Sequence, residues 1–310
     1  MEDTLLVSPA PHVRSAVNTR RIMLDVVIAL IPTLIASAII FGFRALGVTA
    51  LCVAVCVISE WAFEKLCKRD VTVGDLSAVV TGILLAFNLP STIPLWQAAF
   101  GSIVAIVVVK QLFGGIGRNF ANPAITARVV LLISFAGSMS SFKDPINDAV
   151  SGATPLAIMG ANGNMPSLLD MFLGRHGGSL GETCALTLLI GGIYLVARKV
   201  ITWHTPVVFM GTVFLFTLAL GEDPMYHLLA GGLILGAVFM ATDYSTSPST
   251  SWGKVVFGVG CGIITVLIRV FGNYPEGVSF AILLMNIVTP YINALTRRRP
   301  FGAAKKTKKA

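Results

Sequence analysis

The segment IMLDVVIALIPTLIASAIIF, residues 22–41, decides the fold class of this chain. It contains one ionisable side chain, Asp25. Its length matches the roughly 20 apolar residues that an α-helix needs to cross the hydrocarbon core of a bilayer. Similar runs recur along the 310 residues, of which 55% are hydrophobic and 12% charged. This charged fraction is about half that of a typical soluble domain, so the sequence predicts an all-α polytopic membrane protein.

The apolar runs predict about ten transmembrane helices. Several of them are shorter than a straight helix across the bilayer requires, and short spans interrupted by Gly or Pro are typical of broken helices around a binding site. The predicted spans cover residues 22–41, 46–66, 74–89, 94–110, 123–137, 182–197, 205–220, 227–242, 253–271 and 277–292.

Basic residues predict the orientation of these spans, because cytoplasmic loops and ends carry an excess of Lys and Arg. With both termini in the cytoplasm, 19 of the 23 Lys and Arg residues fall inside, and the four outside are Arg44, Lys143, Arg175 and Arg269. Membrane topology thus explains the net charge of +8, and no binding of nucleic acid is expected.

This orientation divides the chain into five parts. A cytoplasmic segment, 1–21, precedes a first set of five spans within 22–137. An extracytoplasmic loop, 138–181, connects it to a second set of five spans within 182–292, and a basic cytoplasmic tail follows at 293–310. The loop is too polar to cross a membrane and is longer than most connections in compact domains, which indicates a functional role.

A shift of 154 residues superposes the two sets of spans in order. It brings 82–92 onto 236–246 and Asn119-Phe120 onto Asn273-Tyr274. Five spans per set place the two sets antiparallel in the membrane, as in the inverted repeats of many transport proteins, whose working site lies where the repeats meet. The sequence therefore predicts two inverted five-helix repeats with an arrangement like that of urea and ammonium channels.

The most informative polar motif, Asp148-Ala149-Val150-Ser151-Gly152-Ala153-Thr154, lies in the predicted extracytoplasmic loop. It resembles the flavin-attachment sequence of sodium pumps and related redox complexes. The resemblance implies that FMN is bound covalently to the Thr154 hydroxyl through a phosphoester, and that Asp148 aids recognition by the attaching transferase. The small residues Ser151, Gly152 and Ala153 would form the turn that presents this hydroxyl. An ordinary turn before Pro155 is the alternative.

A glycine-rich polar segment between the fourth and fifth predicted spans is a second candidate site. The glycines of 114–117 allow the backbone to approach a ligand closely. The side-chain amides of Asn119 and Asn122 can hydrogen-bond both edges of a flavin ring, and Arg118 adds a positive charge. We predict a cofactor or ion site here. The alternative is a polar cytoplasmic loop whose arginine only sets the topology.

Four more polar residues lie at predicted span ends. Asn88 and Asn273 are on the side of the Thr154 loop, and we predict that they contact a cofactor there. Thr242 and Asp243 are on the cytoplasmic side, and we predict that they bind a cation through their oxygens. A carboxylate near a span end is costly to bury without a partner and is often functional. An ordinary interfacial carboxylate is the alternative.

Other polar residues favour structural interpretations. Asp25 and Glu60 fall inside spans near their cytoplasmic ends and are expected either to snorkel to the interface or to pair with the nearby Arg21 or Lys65. The five cysteines are scattered, and the histidines have no partners at the spacing of metal ligands, so no metal site is predicted.

These motifs make the chain similar to the D subunit of the Rnf complex, the ion-translocating ferredoxin:NAD oxidoreductase. The resemblance implies a membrane flavoprotein that carries electrons between ferredoxin and NAD through covalent FMN. It further implies coupled transport of Na+ or H+ and a non-covalent riboflavin near Arg118 and Asn122. The segments that carry the resemblance are 8–12, 82–90, 114–124, 151–156, 181–183 and 241–243.

The resemblance also implies partners. The chain has no motif for a ferredoxin cluster or a dinucleotide, so subunits of the A, B, C, E and G types would supply those steps in a bacterial or archaeal cytoplasmic membrane. The chain would therefore be a catalytically incomplete part of a translocase.

Three alternatives remain. The B subunit of the sodium-pumping NADH:quinone reductase is also similar, but it carries a longer N-terminal extension, so the Rnf subunit is preferred. A solute channel and a purely structural membrane subunit are the other two. Flavin on Thr154 separates the redox subunit from both.

Overall fold

The structure, a computed structural model, describes residues 18–143, 154–160, 165–272 and 276–297. Every regular element within these ranges is a helix, which confirms the all-α prediction. Five predicted site residues lie outside the described residues: Asp148, Ser151, Gly152, Ala153 and Asn273.

The helices differ widely in length, and two of them continue as π-helix. In chain order they are α1 (Thr19–Phe41), α2 (Phe43–Leu66), α3 (Ser77–Phe87), α4 (Leu95–Ile103, continued as π-helix over Val104–Gln111), α5 (Pro123–Ser134), α6 (Ala136–Met139), α7 (Pro155–Gly160), α8 (Leu168–Leu173), α9 (Ala185–Ala197), α10 (His204–Leu220), α11 (Pro224–Leu229), α12 (Leu233–Leu235, continued as π-helix over Gly236–Met240), α13 (Ser251–Phe271) and α14 (Gly277–Thr296).

Four helices, α1, α2, α13 and α14, are long and apolar enough to cross a membrane. Five shorter apolar helices of 10–17 residues accompany them in the described part of the chain: α3, α4 with its π-helical continuation, α5, α9 and α10. The chain is therefore a multi-span membrane protein. These nine helices coincide with nine of the ten predicted spans.

The eighth predicted span, 227–242, is not one continuous helix. The chain leaves α11 after Leu229, and Gly231 adopts a left-handed backbone with φ +64° before α12 begins. The guanidinium of Arg269 donates to the carbonyls of His227 (2.6 Å) and Ala230 (2.9 Å) at this break. A charged donor from a distant helix thus satisfies backbone groups that a continuous helix would have paired internally.

The first half of the chain contains a comparable break after α3. Here Arg44 donates to the carbonyl of Ser91 (2.7 Å) and to those of Thr92 and Ile93 (3.3 Å each). Exposed backbone at membrane depth needs such partners because lipid offers none.

Helices from the two sets of predicted spans pack on each other. Helix α1 contacts α9, and α5 contacts α14. A Cβ atom on Gly191 of α9 would lie 2.3 Å from the Ala29 carbonyl oxygen of α1, so only glycine permits this approach. The first residues of α5 and α14, Pro123 and Gly277, are 154 positions apart, which is the shift found in the sequence.

The predicted partners of Asp25 and Glu60 are wrong. Asp25 accepts a hydrogen bond from the Tyr194 hydroxyl (3.0 Å) and pairs with Arg198 (3.3 Å), both on the α9 side. Glu60 pairs with Lys110 at 2.5 Å, and both side chains are buried. In each case a partner from a packed neighbouring helix displaces the one nearby in sequence, because a buried charge needs close compensation.

Candidate functional site

Thr154 lies directly before α7 at the edge of the described structure. Its hydroxyl accepts a hydrogen bond from the Ala157 amide (3.3 Å), and its carbonyl accepts one from the Ile158 amide (2.9 Å). The side chain of Leu156 is buried in a small apolar cluster with Met171 and Ala230. These contacts fix the position of Thr154, which is 9% exposed.

A small enclosed cavity of about 10 Å³ lies behind Thr154. This volume holds about one water molecule, so a flavin ring does not fit inside it. Any flavin tethered to the Thr154 hydroxyl must therefore place its ring on another side of this residue. The lining residues are Thr154, Pro155, Leu156, His176, Gly177, Gly178, Glu182, Gly231 and Glu276.

His176 is a buried polar member of this cavity that sequence reasoning missed. Its Nδ1 atom lies 3.0 Å from the Gly177 carbonyl, whereas its Nε2 atom has no hydrogen-bond partner in the described structure. Burial lowers the pKa of His176 below its ordinary value, which keeps the imidazole neutral near pH 7.

Arg128 joins this cavity to the interior of the protein. The guanidinium is 3% exposed. It donates to Asn88 Oδ1 at 2.7 Å and to Ser279 Oγ at 3.1 Å. It also contacts two carboxylates that line the Thr154 cavity, those of Glu182 at 2.9 Å and of Glu276. We call Arg128, Glu182 and Glu276 the arginine cluster.

Glu182 reaches the arginine cluster because its segment runs alongside the end of α3. The Leu180 and Gly181 amides donate to the carbonyls of Leu89 (3.0 Å) and Phe87 (2.9 Å). A Cβ atom on Gly181 would lie 2.3 Å from the Phe87 Cβ, so a larger residue would push this segment away.

A second, larger polar cavity lies elsewhere at the interface between the halves. It measures about 90 Å³ and adjoins one of about 300 Å³, with which it shares Asp243, Tyr244 and Ser245. We call this pair of spaces the Asp243 cavity. The polar side chains that line its 90 Å³ part are Ser77, Thr81, Lys110, Asn119, Asn122, Thr242, Asp243, Tyr244 and Ser245.

Two predicted amides meet in this cavity. Asn122 is the N-cap of α5, and its Oδ1 atom accepts from the Ala124 amide at 3.0 Å. Its Nδ2 atom donates to the Met240 carbonyl at 3.3 Å. Asn119 also lines the cavity, and its buried Oδ1 atom has no partner in the described residues. An unpaired acceptor of this kind can receive a polar ligand.

Asn286 of α14 contacts Asn122 and Thr246 near the Asp243 cavity. In the amide orientation that satisfies both groups, it donates to the Thr246 carbonyl (3.2 Å) and accepts from the Asn122 amide (3.1 Å). Glu276, at the start of the same helix, lines the Thr154 cavity. Ten residues of helix span about 15 Å, so α14 runs from the Thr154 cavity to the contact with Asn122, which lines the Asp243 cavity.

Asp243 occupies a polar turn after the second π-helix. Its Oδ2 atom accepts from the hydroxyls of Ser245 (2.9 Å) and Thr246 (3.1 Å). Burial raises the pKa of Asp243, and these two donors oppose the shift. The neighbouring Thr242 hydroxyl donates to the Val238 carbonyl (2.6 Å). Oxygen atoms thus surround this site, as hard cations prefer.

Lys110 forms one wall of the Asp243 cavity. Besides Glu60 it contacts the Ser77 hydroxyl at 2.6 Å, and Gln111 donates to the same Glu60 oxygen at 2.8 Å. A buried ammonium, held by a carboxylate from α2, therefore faces the space beside Asn122.

The remaining predicted site residues, Arg118 and Asn88, lie apart from each other. Arg118 is exposed and contributes no lining to the Asp243 cavity, which contains Asn119 and Asn122. Asn88 lies between the two cavities, where its Nδ2 atom contacts the Leu84 carbonyl (2.6 Å) and Met240 Sδ (3.6 Å).

Sequence reasoning counted Arg128 among the cytoplasmic topology charges, which is wrong, because this residue is buried within α5. Ionisable residues inside a membrane span are usually functional. That rule, applied to Arg128, was the available signal for the arginine cluster.

The fold and its cavities define a class of protein: a multi-span helical membrane protein with a small cavity beside Thr154 and a larger cavity, lined by many polar side chains, between its two sets of spans. More specifically, the chain belongs to the NQR2, RnfD, RnfE family, whose model matches residues 6–302.

Curated relatives agree with this assignment. The chain is 48% identical to the D subunit of the Na(+)-translocating ferredoxin:NAD(+) oxidoreductase complex of Acetobacterium woodii, over 100% of this chain and 99% of the relative. It is 41% identical to the D subunit of the proton-translocating ferredoxin:NAD(+) oxidoreductase complex of Clostridium ljungdahlii, over 96% of each. It is 39% identical to the D subunit of the ion-translocating oxidoreductase complex of Stutzerimonas stutzeri, over 94% and 93%. The predicted resemblance to the Rnf family is confirmed.

Proposed function

We propose that this chain is the D-type component of a redox-driven ion pump and that it carries FMN covalently on Thr154. Its role is to pass electrons between ferredoxin and NAD, coupled to transport of Na+ or H+. Relatives at 48% and 41% identity bear the names of Na(+)- and proton-translocating ferredoxin:NAD(+) oxidoreductase subunits. Subunits of the A, B, C, E and G types would hold the other redox centres of the complex.

The position of Thr154 carries the proposal. A phosphoester requires one hydroxyl at a fixed place, and α7 together with the buried Leu156 holds Thr154 near Glu182 and Glu276 of the arginine cluster. An ester oxygen still accepts the Ala157 amide, so attachment preserves this local structure. Because the cavity of about 10 Å³ cannot hold the flavin ring, the proposal places the ring outside this cavity, towards a partner protein. When bound, a flavin accepts one or two electrons.

We propose that a second, non-covalent flavin such as riboflavin binds at the Asp243 cavity. The unpaired Oδ1 atom of Asn119 and the nearby Asn122 can hydrogen-bond a planar polar ring. Phe239 and Tyr244 add aromatic surface to the same lining. Asp243 and Thr242 would bind the coupling cation through their oxygens.

The proposed topology has ten spans in two inverted repeats, with both termini in the cytoplasm. The broken segment from α11 to the second π-helix is the eighth span. The excess of Lys and Arg supports this orientation, and the 154-residue register between α5 and α14 supports the repeat. Thr154 then lies on the extracytoplasmic side and Asp243 on the cytoplasmic side.

The test is covalent flavin on Thr154. When the chain is produced together with its flavin transferase, the wild-type band should fluoresce on a denaturing gel. Thr154→Ala should abolish both this fluorescence and electron transfer between ferredoxin and NAD, because the variant lacks the hydroxyl that would form the phosphoester. Thr154→Ser keeps a hydroxyl and should retain part of both.

A matched control is Thr202→Ala, which removes a threonine hydroxyl that contacts Lys254 at 3.0 Å, away from the Thr154 cavity. Its fluorescence should equal that of the wild type. Fluorescence that persists in Thr154→Ala, with normal insertion in the membrane, would assign the flavin to another residue and overturn the proposal.

A further inference from the structure

A third cavity, of about 290 Å³, lies at the N-terminal ends of α10 and α13. We call it the Lys254 cavity. One water molecule needs only about 10–15 Å³ of cavity volume, so this space is large enough for a phosphate group. It adjoins the Asp243 cavity, because Thr242 and Tyr244 line both, but Asp243 is not part of its lining. The polar lining includes Lys199, Thr202, Thr205, Ser247, Ser249 and Lys254.

Helices α10 and α13 run parallel and begin side by side. A Cβ atom on Gly258 would lie 3.1 Å from the Val208 Cβ, and one on Gly262 would lie 2.6 Å from the Thr212 Cβ. These two pairs advance in the same direction along both helices, and the helices begin within about one turn of each other. The N-terminal end of a helix carries a partial positive charge, so two such ends meet at the Lys254 cavity.

The first turn of α10 has donors without acceptors. Trp203, at the N-cap position, makes no side-chain capping bond, whereas Thr250 caps α13 by accepting from the Gly253 amide at 3.0 Å. Within the described ranges, the backbone amides of His204 and Thr205 donate to no acceptor. Thr205 also lines the cavity with a side chain that is 1% exposed, and its hydroxyl has no partner among the same residues. An anion in the cavity would accept from these groups.

The charge of the Lys254 cavity is positive. Lys199 and Lys254 line it, and none of its described lining residues is acidic. Lys254 donates to the Thr202 hydroxyl at 3.0 Å, and neither lysine forms an ion pair in the described part of the chain. Even if the carboxylate of Asp243 from the adjoining cavity is counted, the local charge stays positive. The cavity therefore attracts an anion.

The mouth of this cavity lies at the level of the lipid headgroups. Trp203, directly before α10, and Trp252, the second residue of α13, are 56% and 76% exposed. Exposed tryptophans at the ends of spans mark the interface between membrane and water. About one turn further along each helix, Val207 and Val256 are exposed apolar residues, so acyl chains can lie against them.

We propose that the Lys254 cavity binds the phosphate group of an anionic phospholipid. The phosphate oxygens would accept from the His204 and Thr205 amides and from the Thr205 hydroxyl, and Lys199 and Lys254 would balance the charge. This inference is independent of flavin on Thr154, and it uses the proposed topology only to place the lipid in the cytoplasmic leaflet.

The experiment measures lipid binding by the full chain in a neutral detergent. Unfolding temperature and native mass spectra are recorded with phosphatidylglycerol, with phosphatidylcholine and with sodium phosphate. Phosphatidylglycerol should raise the unfolding temperature and remain bound in the mass spectrum, because a ligand of the folded state stabilises it. The other two should do neither. Equal stabilisation by sodium phosphate would identify a soluble anion as the ligand, and equal stabilisation by phosphatidylcholine would show that net charge is not recognised. Either result would overturn the proposal.

The two lysines are tested together. Lys199→Gln combined with Lys254→Gln should weaken phosphatidylglycerol binding about thirtyfold, which corresponds to about 2 kcal/mol, or about 1 kcal/mol for each lysine. The matched control combines Lys65→Gln with Lys68→Gln. Lys68 and Lys199 both follow a helix with left-handed backbone, at φ +53° and +58°, but Lys65 and Lys68 do not line the cavity. The control should bind like the wild type, and equal weakening in both double variants would reject a specific site.

Thr205→Val covers the case in which the double lysine variant fails to fold. The Thr205 hydroxyl has no partner among the described residues, so without lipid the variant should unfold at the wild-type temperature. The rise caused by phosphatidylglycerol should shrink, because one donor to the phosphate is lost. A full rise in this variant would contradict the proposed site. None of these outcomes depends on flavin at Thr154, so they leave the proposed function untouched.

Discussion

At the start of α14, Glu276 meets the guanidinium of Arg128, whereas ten residues later Asn286 meets Asn122 through amide groups. Asn122 and Glu276 are 154 positions apart and hold the N-cap positions of α5 and α14. The N-cap position is thus occupied by a side-chain amide in α5 and by a carboxylate in α14.

The two cavities differ in the same way. The space behind Thr154 measures about 10 Å³ and is bordered by charged groups, whereas the Asp243 cavity joins spaces of about 90 and 300 Å³ beside asparagines and hydroxyls. The difference teaches that the two cavities have separate tasks. The side of Thr154 is closed and held together by charge, and the side of Asp243 is open and suited to a ligand.

The largest expected effect on stability comes from removing Arg128 from the arginine cluster. Arg128→Met leaves the buried Glu182 and the half-buried Glu276 without their cation, and removing one partner of a buried ion pair costs about 3–5 kcal/mol. Thermal unfolding of the purified chain in detergent should show a correspondingly large decrease in stability.

Arg44→Met is the matched control for this prediction. Arg44 is exposed and donates to three backbone carbonyls, without a carboxylate among its hydrogen-bond partners in the described residues. The decrease in stability caused by Arg44→Met should be clearly smaller than that caused by Arg128→Met. Equal losses in the two variants would show that the arginine cluster has no special role in stability.

A smaller effect is expected on the amide side. Asn122→Ala removes the N-cap of α5 and the contact with the Met240 carbonyl, and the loss of an N-cap typically costs about 0.5–2 kcal/mol. The same unfolding measurement applies. Asn18→Ala, which removes the exposed N-cap of α1, should cost less because Asn122 also joins the two halves.

The pH dependence of stability also distinguishes the Thr154 cavity from the Asp243 cavity. In the Thr154 cavity the titrating group is His176. Burial lowers the pKa of His176 in the folded state, so the unfolded chain takes up this proton more readily. Stability should therefore fall as the pH decreases below about 6.5, the ordinary pKa of histidine. His176→Gln should reduce this slope, and an unchanged pH profile of the unfolding temperature would contradict the assigned neutral state.

Asp243 should change the pH dependence of stability in the direction opposite to His176, and by the smallest amount. Burial raises its pKa in the folded state, so the folded chain retains this proton more readily. Its contribution to stability is present below about pH 3.9, the ordinary pKa of aspartate, and is lost as the pH rises through the folded value. In Asp243→Asn the fall of stability with rising pH over this window should disappear. A steeper fall in the variant would reject the direction of the shift.

Much of the fold could be predicted from the sequence because lipid imposes a simple rule on composition. Nine of the ten apolar runs coincide with helices. The exception, 227–242, breaks at a left-handed glycine whose neighbouring carbonyls bind Arg269 from about 40 residues away. Local hydropathy contains no information about such a partner.

The candidate site shows the same limit. Asn119, Asn122, Thr242 and Asp243 lie in polar motifs at span ends, and the structure places all four around one cavity. The arginine cluster has no local motif, because Arg128 is 54 positions from Glu182 and 148 from Glu276. Charge counting also assigned Arg128 to topology, since it cannot distinguish a buried guanidinium from one in a loop.

The proposed electron transfer depends most on FMN at Thr154, and one mass measurement tests it directly. Trypsin cleavage after Lys143 and Arg175 releases peptide 144–175, which contains Thr154. For the chain produced with its transferase, we predict the peptide mass plus one FMN minus one water, with fragmentation placing the addition on Thr154. An unmodified peptide, or an addition on Ser151 or Ser167, would contradict the central claim.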